Sequence, residues 1–98
     1  MNRLLLLAVA ATSLSALADD GEGKRLFTVG AVPACKICHA LKDAGAEGAI
    51  GPSLDELKPD AARVAKAVKT GIGQMPAFSQ LTEEQVQAIA KYVEQATH

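Results

Sequence analysis

The chain has 98 residues, of which ten are Lys or Arg and eleven are Asp or Glu, so its net charge at pH 7 is −1. This length holds a single small domain, and the near balance of charge gives no support for a nucleic-acid-binding protein, which would carry a basic excess. Apolar residues make up 49% of the sequence and charged residues 21%, which are ordinary values for a folded protein and argue against a disordered chain.

Residues 1–18 have the pattern of a cleaved export signal. A short basic start at residues 1–3 precedes an apolar stretch at residues 4–17, and small residues surround the expected cleavage point after Ala18. The apolar stretch has 14 residues, whereas a membrane-spanning helix needs about 20. We therefore expect cleavage after Ala18, no membrane anchor and one mature domain of residues 19–98.

The pattern after the signal is helical, and strand signals are nearly absent. Residues 20–29 form the first predicted helix, with Asp20 and Glu22 in its first turn and Leu26 and Phe27 facing the core. No run of alternating β-branched and polar residues predicts a strand. The sequence therefore predicts an all-α fold.

A C-x-x-C-H motif follows the first predicted helix, with Cys35, Cys38 and His39 as its chemical groups. In an exported protein this motif is typical of covalent haem attachment. Two thiols three residues apart on a helical turn can form thioethers to two vinyl groups of the porphyrin, and the adjacent imidazole can then bind the iron. The motif therefore predicts one covalent haem c, with His39 as an iron ligand.

The cysteine pair has two other interpretations. A disulfide or a thiol–disulfide enzyme is possible in an exported chain, but such an enzyme would need a βαβ context, which the sequence does not predict. A zinc site would need further ligands, and the sequence offers one other histidine, His98. The adjacent His39 favours haem.

A second helix is predicted over residues 60–69, with Pro59 at a first-turn position. Long irregular stretches at residues 43–53 and 70–80 flank this helix and are rich in Gly, Ala and Pro. In a small domain, stretches of this length commonly wrap around a ligand or bind one.

Met75 is the one methionine of the expected mature domain and is the candidate second ligand of the iron. It lies 36 residues after His39, in a segment rich in Gly and Pro. A single methionine more often fills a gap in a core, but its position in a loop and its soft thioether sulfur favour iron ligation. The alternatives are an iron with an open coordination position and an iron bound by another ligand, such as His98, in place of Met75.

The third predicted helix covers residues 83–96. Thr82 is its expected N-cap and Gln85 the third helical residue, in the arrangement of a capping box. Apolar residues then recur at helical spacing from Val86 to Val93.

With these motifs, the sequence resembles the class I c-type cytochromes, and the small bacterial monohaem members in particular, over essentially the whole mature chain. Cys35, Cys38 and His39 match the attachment motif of the family, and Met75 with the proline that follows matches its distal ligand loop. The resemblance implies the cytochrome c fold, in which three main helices and short helical turns surround one covalent haem.

The resemblance extends to two structural contacts. The Gly-Pro-Ser-Leu segment that contains Pro52 is similar to a family segment whose proline carbonyl accepts a hydrogen bond from the iron-binding histidine, which implies this role for Pro52. It also implies that Gly23 and Phe27 pack against Ile89 and Tyr92 of the last helix. No residue matches the buried Trp or Tyr that binds a haem propionate in the family.

The ligand pair predicts an electron carrier and not an enzyme. With His39 and Met75 both bound, the iron would have no open position for a substrate or for oxygen, and one-electron transfer remains. Because an export signal and haem attachment occur together, we expect a periplasmic location. The expected partners are a periplasmic dehydrogenase as donor and a respiratory oxidase or reductase as acceptor, which dock transiently at the exposed haem edge of a monomer.

Two other functions stay open. In the first, the chain would be a dedicated cytochrome subunit of a periplasmic dehydrogenase. Residues 51–76 look similar to small cytochromes that serve sulfite-oxidising enzymes. In the second it is a catalytic or gas-binding haem protein, which requires that Met75 does not bind the iron. Exposed lysines could steer acidic partners, although simple solvation is favoured in a nearly neutral chain; these are Lys36, Lys42, Lys66 and Lys69.

Overall fold

The computed structural model describes residues 21–98. The expected export signal, its cleavage after Ala18, and Asp20 in the first predicted helix lie outside this range. Within residues 21–98, none of the helices has both the length and the apolar character needed to cross a membrane.

Five helical segments and one small hairpin make up the described fold. The first helix, α1, covers residues 21–30, and its last turn, Leu26–Gly30, is π-helical. The other helices are α2 (Cys35–Cys38), α3 (Leu54–Leu57), α4 (Ala61–Thr70) and α5 (Glu83–Thr97). Strands β1 (Ala40–Leu41) and β2 (Ala46–Glu47) pair antiparallel around a 3₁₀ turn, Lys42–Ala44, and Ala40 lies opposite Glu47.

The capping box predicted for the last helix is present. The Thr82 side chain accepts a hydrogen bond from the Gln85 backbone N–H at 3.1 Å, and the Gln85 side chain accepts one from the Thr82 backbone N–H at 2.9 Å. Two of the N–H groups that a helix start leaves unpaired are thereby satisfied. This fixes where α5 begins, and the helix extends one residue past the predicted end.

The prediction for the start of α4 was wrong by one position. Asp60 is the N-cap, and its carboxylate accepts a hydrogen bond from the Arg63 backbone N–H at 2.8 Å. Because Asp is among the best N-cap residues, the helix begins at Ala61, and Pro59 lies before the cap instead of in the first turn.

Helices α1 and α5 cross closely where α1 has a glycine. A Cβ added at Gly23 would lie 2.6 Å from the Tyr92 Cβ and would also overlap the Ala88 carbonyl oxygen. One turn later, the rings of Phe27 and Tyr92 meet edge to face, with centroids 6.0 Å apart. The predicted packing of Gly23 and Phe27 on Tyr92 is confirmed, and Ala88 also lies close to the glycine.

The core lies between α1, α4 and α5, and it extends under the hairpin. Its aromatic members are Phe27 and Phe78, and most of the others are aliphatic side chains of modest size. The hairpin was not predicted, because two residues per strand are too few to show an alternating pattern. The buried apolar residues are Leu26, Phe27, Ala31, Leu41, Ala46, Leu54, Val64, Ala65, Val68, Phe78, Val86, Ala88, Ile89, Ala90 and Val93.

Candidate functional site

A cavity of about 370 Å³ lies beside the core, and elements from α1 to α5 contribute to its wall. This volume is within the usual range for small-molecule and cofactor sites. Most lining residues are apolar, and they include Leu54, Val64, Val68 and Phe78. The lining residues with polar, ionisable or sulfur-containing side chains are Cys35, Cys38, His39, Arg63, Gln74 and Met75.

Helix α2 directs both cysteines toward the cavity. Residues three apart on a helix share a face, so Cys35 and Cys38 line the cavity together. His39 follows as the C-cap, and its backbone N–H donates to the Cys35 carbonyl oxygen at 3.0 Å. Burial raises the pKa of the Cys35 thiol to about 11, so this thiol is protonated at neutral pH.

The His39 ring is held by Pro52. Its Nδ1 lies 2.8 Å from the Pro52 carbonyl oxygen. A carbonyl oxygen only accepts hydrogen bonds, so Nδ1 carries the proton and donates it. The other ring nitrogen, Nε2, then has a free lone pair on an imidazole that lines the cavity. This is the tautomer that a metal-binding histidine needs.

Two glycines allow the chain that carries Pro52 to pack against the motif. A Cβ added at Gly51 would lie 2.6 Å from His39 Cε1, and the Gly51 N–H donates to the Cys38 carbonyl oxygen at 2.7 Å. A Cβ at Gly48 would lie 2.6 Å from the Ile37 carbonyl oxygen. Sequence reasoning missed Gly48, since nothing in its neighbours marks the contact.

A tight turn brings Met75 to the cavity. Ile72 and Met75 exchange two backbone hydrogen bonds of 3.0 and 2.9 Å, and Gly71 and Gly73 on either side of Ile72 have positive φ values of 74° and 56°. Such backbone angles favour glycine. The Phe78 N–H donates to the Val68 carbonyl oxygen at 2.8 Å and ties this loop to α4. Met75 is half-buried and lines the same cavity as His39.

The structure therefore brings all five predicted site residues to one cavity: Cys35, Cys38, His39, Pro52 and Met75. Their chemical roles stay predictions. His98, the alternative ligand, does not line the cavity, and its Nε2 lies 3.0 Å from the Lys58 carbonyl oxygen.

Sequence reasoning missed Arg63 and Gln74, the two polar side chains that line the cavity apart from the motif. A signal for Arg63 exists in the spacing of α4. Residues 63, 64, 67 and 68 all line the cavity, which is the i, i+1, i+4, i+5 pattern of one helix face.

The predicted lysines differ in their surroundings. Lys69 forms an ion pair with Glu83, with its Nζ 2.8 Å from Oε1. The side chains of Lys36, Lys42 and Lys66 are exposed and form no ion pair with any residue of 21–98.

Three isoleucines near the cavity are more exposed than is usual for this residue type: Ile37 (55%), Ile50 (67%) and Ile72 (69%).

The donor set and the wall fit a covalently bound haem. The cavity offers two thiols on one helical turn, an imidazole with a free lone pair, a thioether sulfur and apolar walls for a flat macrocycle. The residues that would hold the group are the five that the sequence predicted.

Comparison with known proteins gives a family match and a match to a solved structure. The family model described as cytochrome c oxidase, cbb3-type, subunit III, matches residues 18–93. The crystal structure of the c-type cytochrome SorU from Sinorhizobium meliloti superposes with a TM-score of 0.81 and is 47% identical; the match covers 83% of this chain and 93% of that one. No curated protein sequence matches the chain.

Proposed function

Because the chain belongs to the family described as cytochrome c oxidase, cbb3-type, subunit III, and is a small monohaem class I c-type cytochrome with covalently bound haem c, we propose that it is a periplasmic one-electron carrier with iron ligands His39 and Met75. The observation that carries this proposal is the common cavity of the thiols, the imidazole and the thioether. When bound, the haem supplies an iron that alternates between the ferric and ferrous states.

Cys35 and Cys38 are the residues that would hold the haem through thioether bonds. Their common face on α2 supports this role, because both thiols line the cavity from one helical turn. Covalent attachment through a short, hydrogen-bonded turn keeps the cofactor in place in a chain whose own core is small.

His39 would bind the iron through Nε2. The hydrogen bond from Nδ1 to the Pro52 carbonyl oxygen fixes the ring orientation and increases the basicity of the ligand. A ligand held in one orientation needs little rearrangement when the iron changes its charge. This supports electron transfer.

Met75 would supply the second iron ligand. A thioether paired with an imidazole raises the reduction potential of haem iron relative to harder ligand pairs. The two backbone hydrogen bonds of the turn that begins at Ile72 hold Met75 in the cavity wall. With His39 and Met75 both bound, the iron would have no open position for a substrate, so we propose a carrier and not an enzyme.

The rim of the cavity would be the docking surface for redox partners. Ile37 follows the first cysteine of the motif by two residues, and Ile50 and Ile72 line the cavity while their side chains stay exposed. An apolar rim with few paired charges suits brief encounters over a small interface. The proposed partners are a periplasmic dehydrogenase and a respiratory oxidase or reductase.

The second candidate is a dedicated subunit of one periplasmic dehydrogenase, for example a sulfite-oxidising one. The likeness of residues 51–76 to cytochromes with that role supports it. Purification from native extract at moderate salt separates the two candidates, because a dedicated subunit would elute with the larger enzyme and a carrier would elute alone.

The visible spectrum of the exported protein tests the ligand set. The oxidised protein is expected to show the weak near-red charge-transfer band of methionine ligation, and Met75→Leu is expected to lose it. Ile72→Leu, in the same turn, is the matched control and keeps the band. A c-type spectrum without the band in the wild type would overturn Met75 as ligand, and a colourless protein would overturn the whole proposal.

A further inference from the structure

Among residues 21–98, Arg63 is the only Arg or Lys that lines the cavity. Its backbone N–H is already satisfied by the Asp60 cap at 2.8 Å. No carboxylate of residues 21–98 lies within ion-pair distance of its guanidinium. An arginine that faces an apolar cavity without an acidic partner points to an anionic group on the ligand.

A haem carries two propionate carboxylates in addition to its two vinyl groups. The vinyl groups would react with the thiols of α2, so the carboxylates are the charged groups that remain to be accommodated. An ionised carboxylate against an apolar wall is costly unless it is paired or hydrated. Gln74, the other polar side chain of the wall, brings amide donors but no charge.

We propose that Arg63 binds a propionate carboxylate of the haem and so orients the cofactor from α4, at a point distant in sequence from the attachment motif. This rests on the haem lying in the cavity, as proposed above. The guanidinium can bind a carboxylate through two parallel hydrogen bonds, which fixes orientation as well as charge. The family match and the sequence motifs assign no residue to this role.

The charge of Arg63 also affects the iron. A positive group near the haem favours the ferrous state, which carries one positive charge fewer than the ferric state. Removing the charge is therefore expected to lower the reduction potential. Arg63 is exposed, so solvent screening reduces the effect without removing it.

The test compares R63Q, R63K and K66Q as haem-loaded proteins. Lys66 is the matched control, because it is exposed on the same helix and does not line the cavity. The potential of R63Q is expected to fall several times further than that of K66Q, and R63K is expected to lie between the wild type and R63Q. An R63Q potential equal to that of K66Q would overturn the proposal, as would an R63K potential no higher than that of R63Q.

Proton NMR of the reduced protein is the second readout. A nuclear Overhauser effect between the Arg63 Nε–H and the propionate methylene protons is expected in the wild type. Its absence would overturn the proposal. The near-red charge-transfer band of methionine ligation is recorded on oxidised portions of the same samples. A failure of Met75 ligation is thereby distinguished from a failure of the Arg63 contact.

Discussion

Gly51 lies against the ring of His39 at a distance that no side chain can occupy. A Cβ at this position would be 2.6 Å from Cε1 and 3.0 Å from Nδ1 of the imidazole. The next residue, Pro52, supplies the carbonyl oxygen that accepts the Nδ1 proton. One glycine thus determines how closely the Pro52 carbonyl approaches the ring, and the ring orientation depends on that approach.

Gly51→Ala is expected to destabilise the haem-loaded protein by about 1–3 kcal/mol, the usual cost of forcing extra atoms into a packed site. The ring must move away from the new methyl group, and the hydrogen bond to Pro52 lengthens. Denaturant unfolding gives the free energy. Gly21→Ala is the control, because a Cβ at Gly21 meets nothing within 4 Å. A loss for Gly51→Ala no larger than for Gly21→Ala would contradict the steric argument.

At the scale of elements, Tyr92 connects α5 to the turn after the attachment motif. Its hydroxyl donates a 2.6 Å hydrogen bond to Asp43 in the 3₁₀ turn, and Lys24 of α1 lies 3.8 Å from the same carboxylate. Its ring packs on Phe27 of α1. The helix crossing is therefore joined to the segment that follows His39 through one side chain.

Tyr92→Phe is expected to cost about 1–3 kcal/mol at neutral pH, because it removes a hydrogen bond to a charged acceptor. Burial, and then the hydrogen bond to Asp43, raise the pKa of Tyr92 above its ordinary value of 10.0. The folded protein thus keeps a proton that the unfolded chain releases near pH 10. The difference in unfolding free energy between wild type and Tyr92→Phe should be constant from neutral pH to about pH 10 and shrink at higher pH.

Denaturant titrations of both proteins at a series of pH values check this result. All other groups are the same in the two proteins, so their contributions cancel in the difference. A difference that stays constant into the alkaline range would show that the hydroxyl and Asp43 do not interact in solution.

The elements that the sequence predicted well are those with local chemical signals. Thr82 and Gln85 satisfy each other's backbone groups, so the start of α5 follows from four consecutive residues. The start of α4 was misplaced because Pro59 and Asp60 both suit a helix start, and the choice between them depends on a hydrogen bond to Arg63. The hairpin of β1 and β2 carries no signal of its own, since each strand has two residues.

At the scale of the whole molecule, the candidate site was predictable where its chemical groups lie close together in the sequence. Cys35, Cys38 and His39 form such a motif, and Met75 was found because the domain has no other methionine. Gly48 was not found, because its contact depends on how the chain returns to the motif, which tertiary packing decides. Arg63 was missed although its spacing from Val64 and Val68 places it on the same face of α4.

The whole fold depends on what fills the cavity. The cavity of about 370 Å³ is lined mostly by apolar side chains and is partly open to solvent, so without a ligand these side chains would contact water. The large buried side chains of this chain are few, with Phe27, Leu26, Leu41, Ile89 and Val93 the largest. The cofactor is therefore a large part of the hydrophobic core.

Replacing both Cys35 and Cys38 with Ala is expected to give a chain that does not fold cooperatively, because it would lack covalent haem and would leave the cavity open to water or collapsed. Circular dichroism should show a large loss of helix signal and no sharp thermal transition. Lys36→Gln, in the same helical turn, is the control that keeps the haem and the transition. Native helix content with cooperative unfolding in the haem-free double variant would show that α1, α4 and α5 form a sufficient core by themselves.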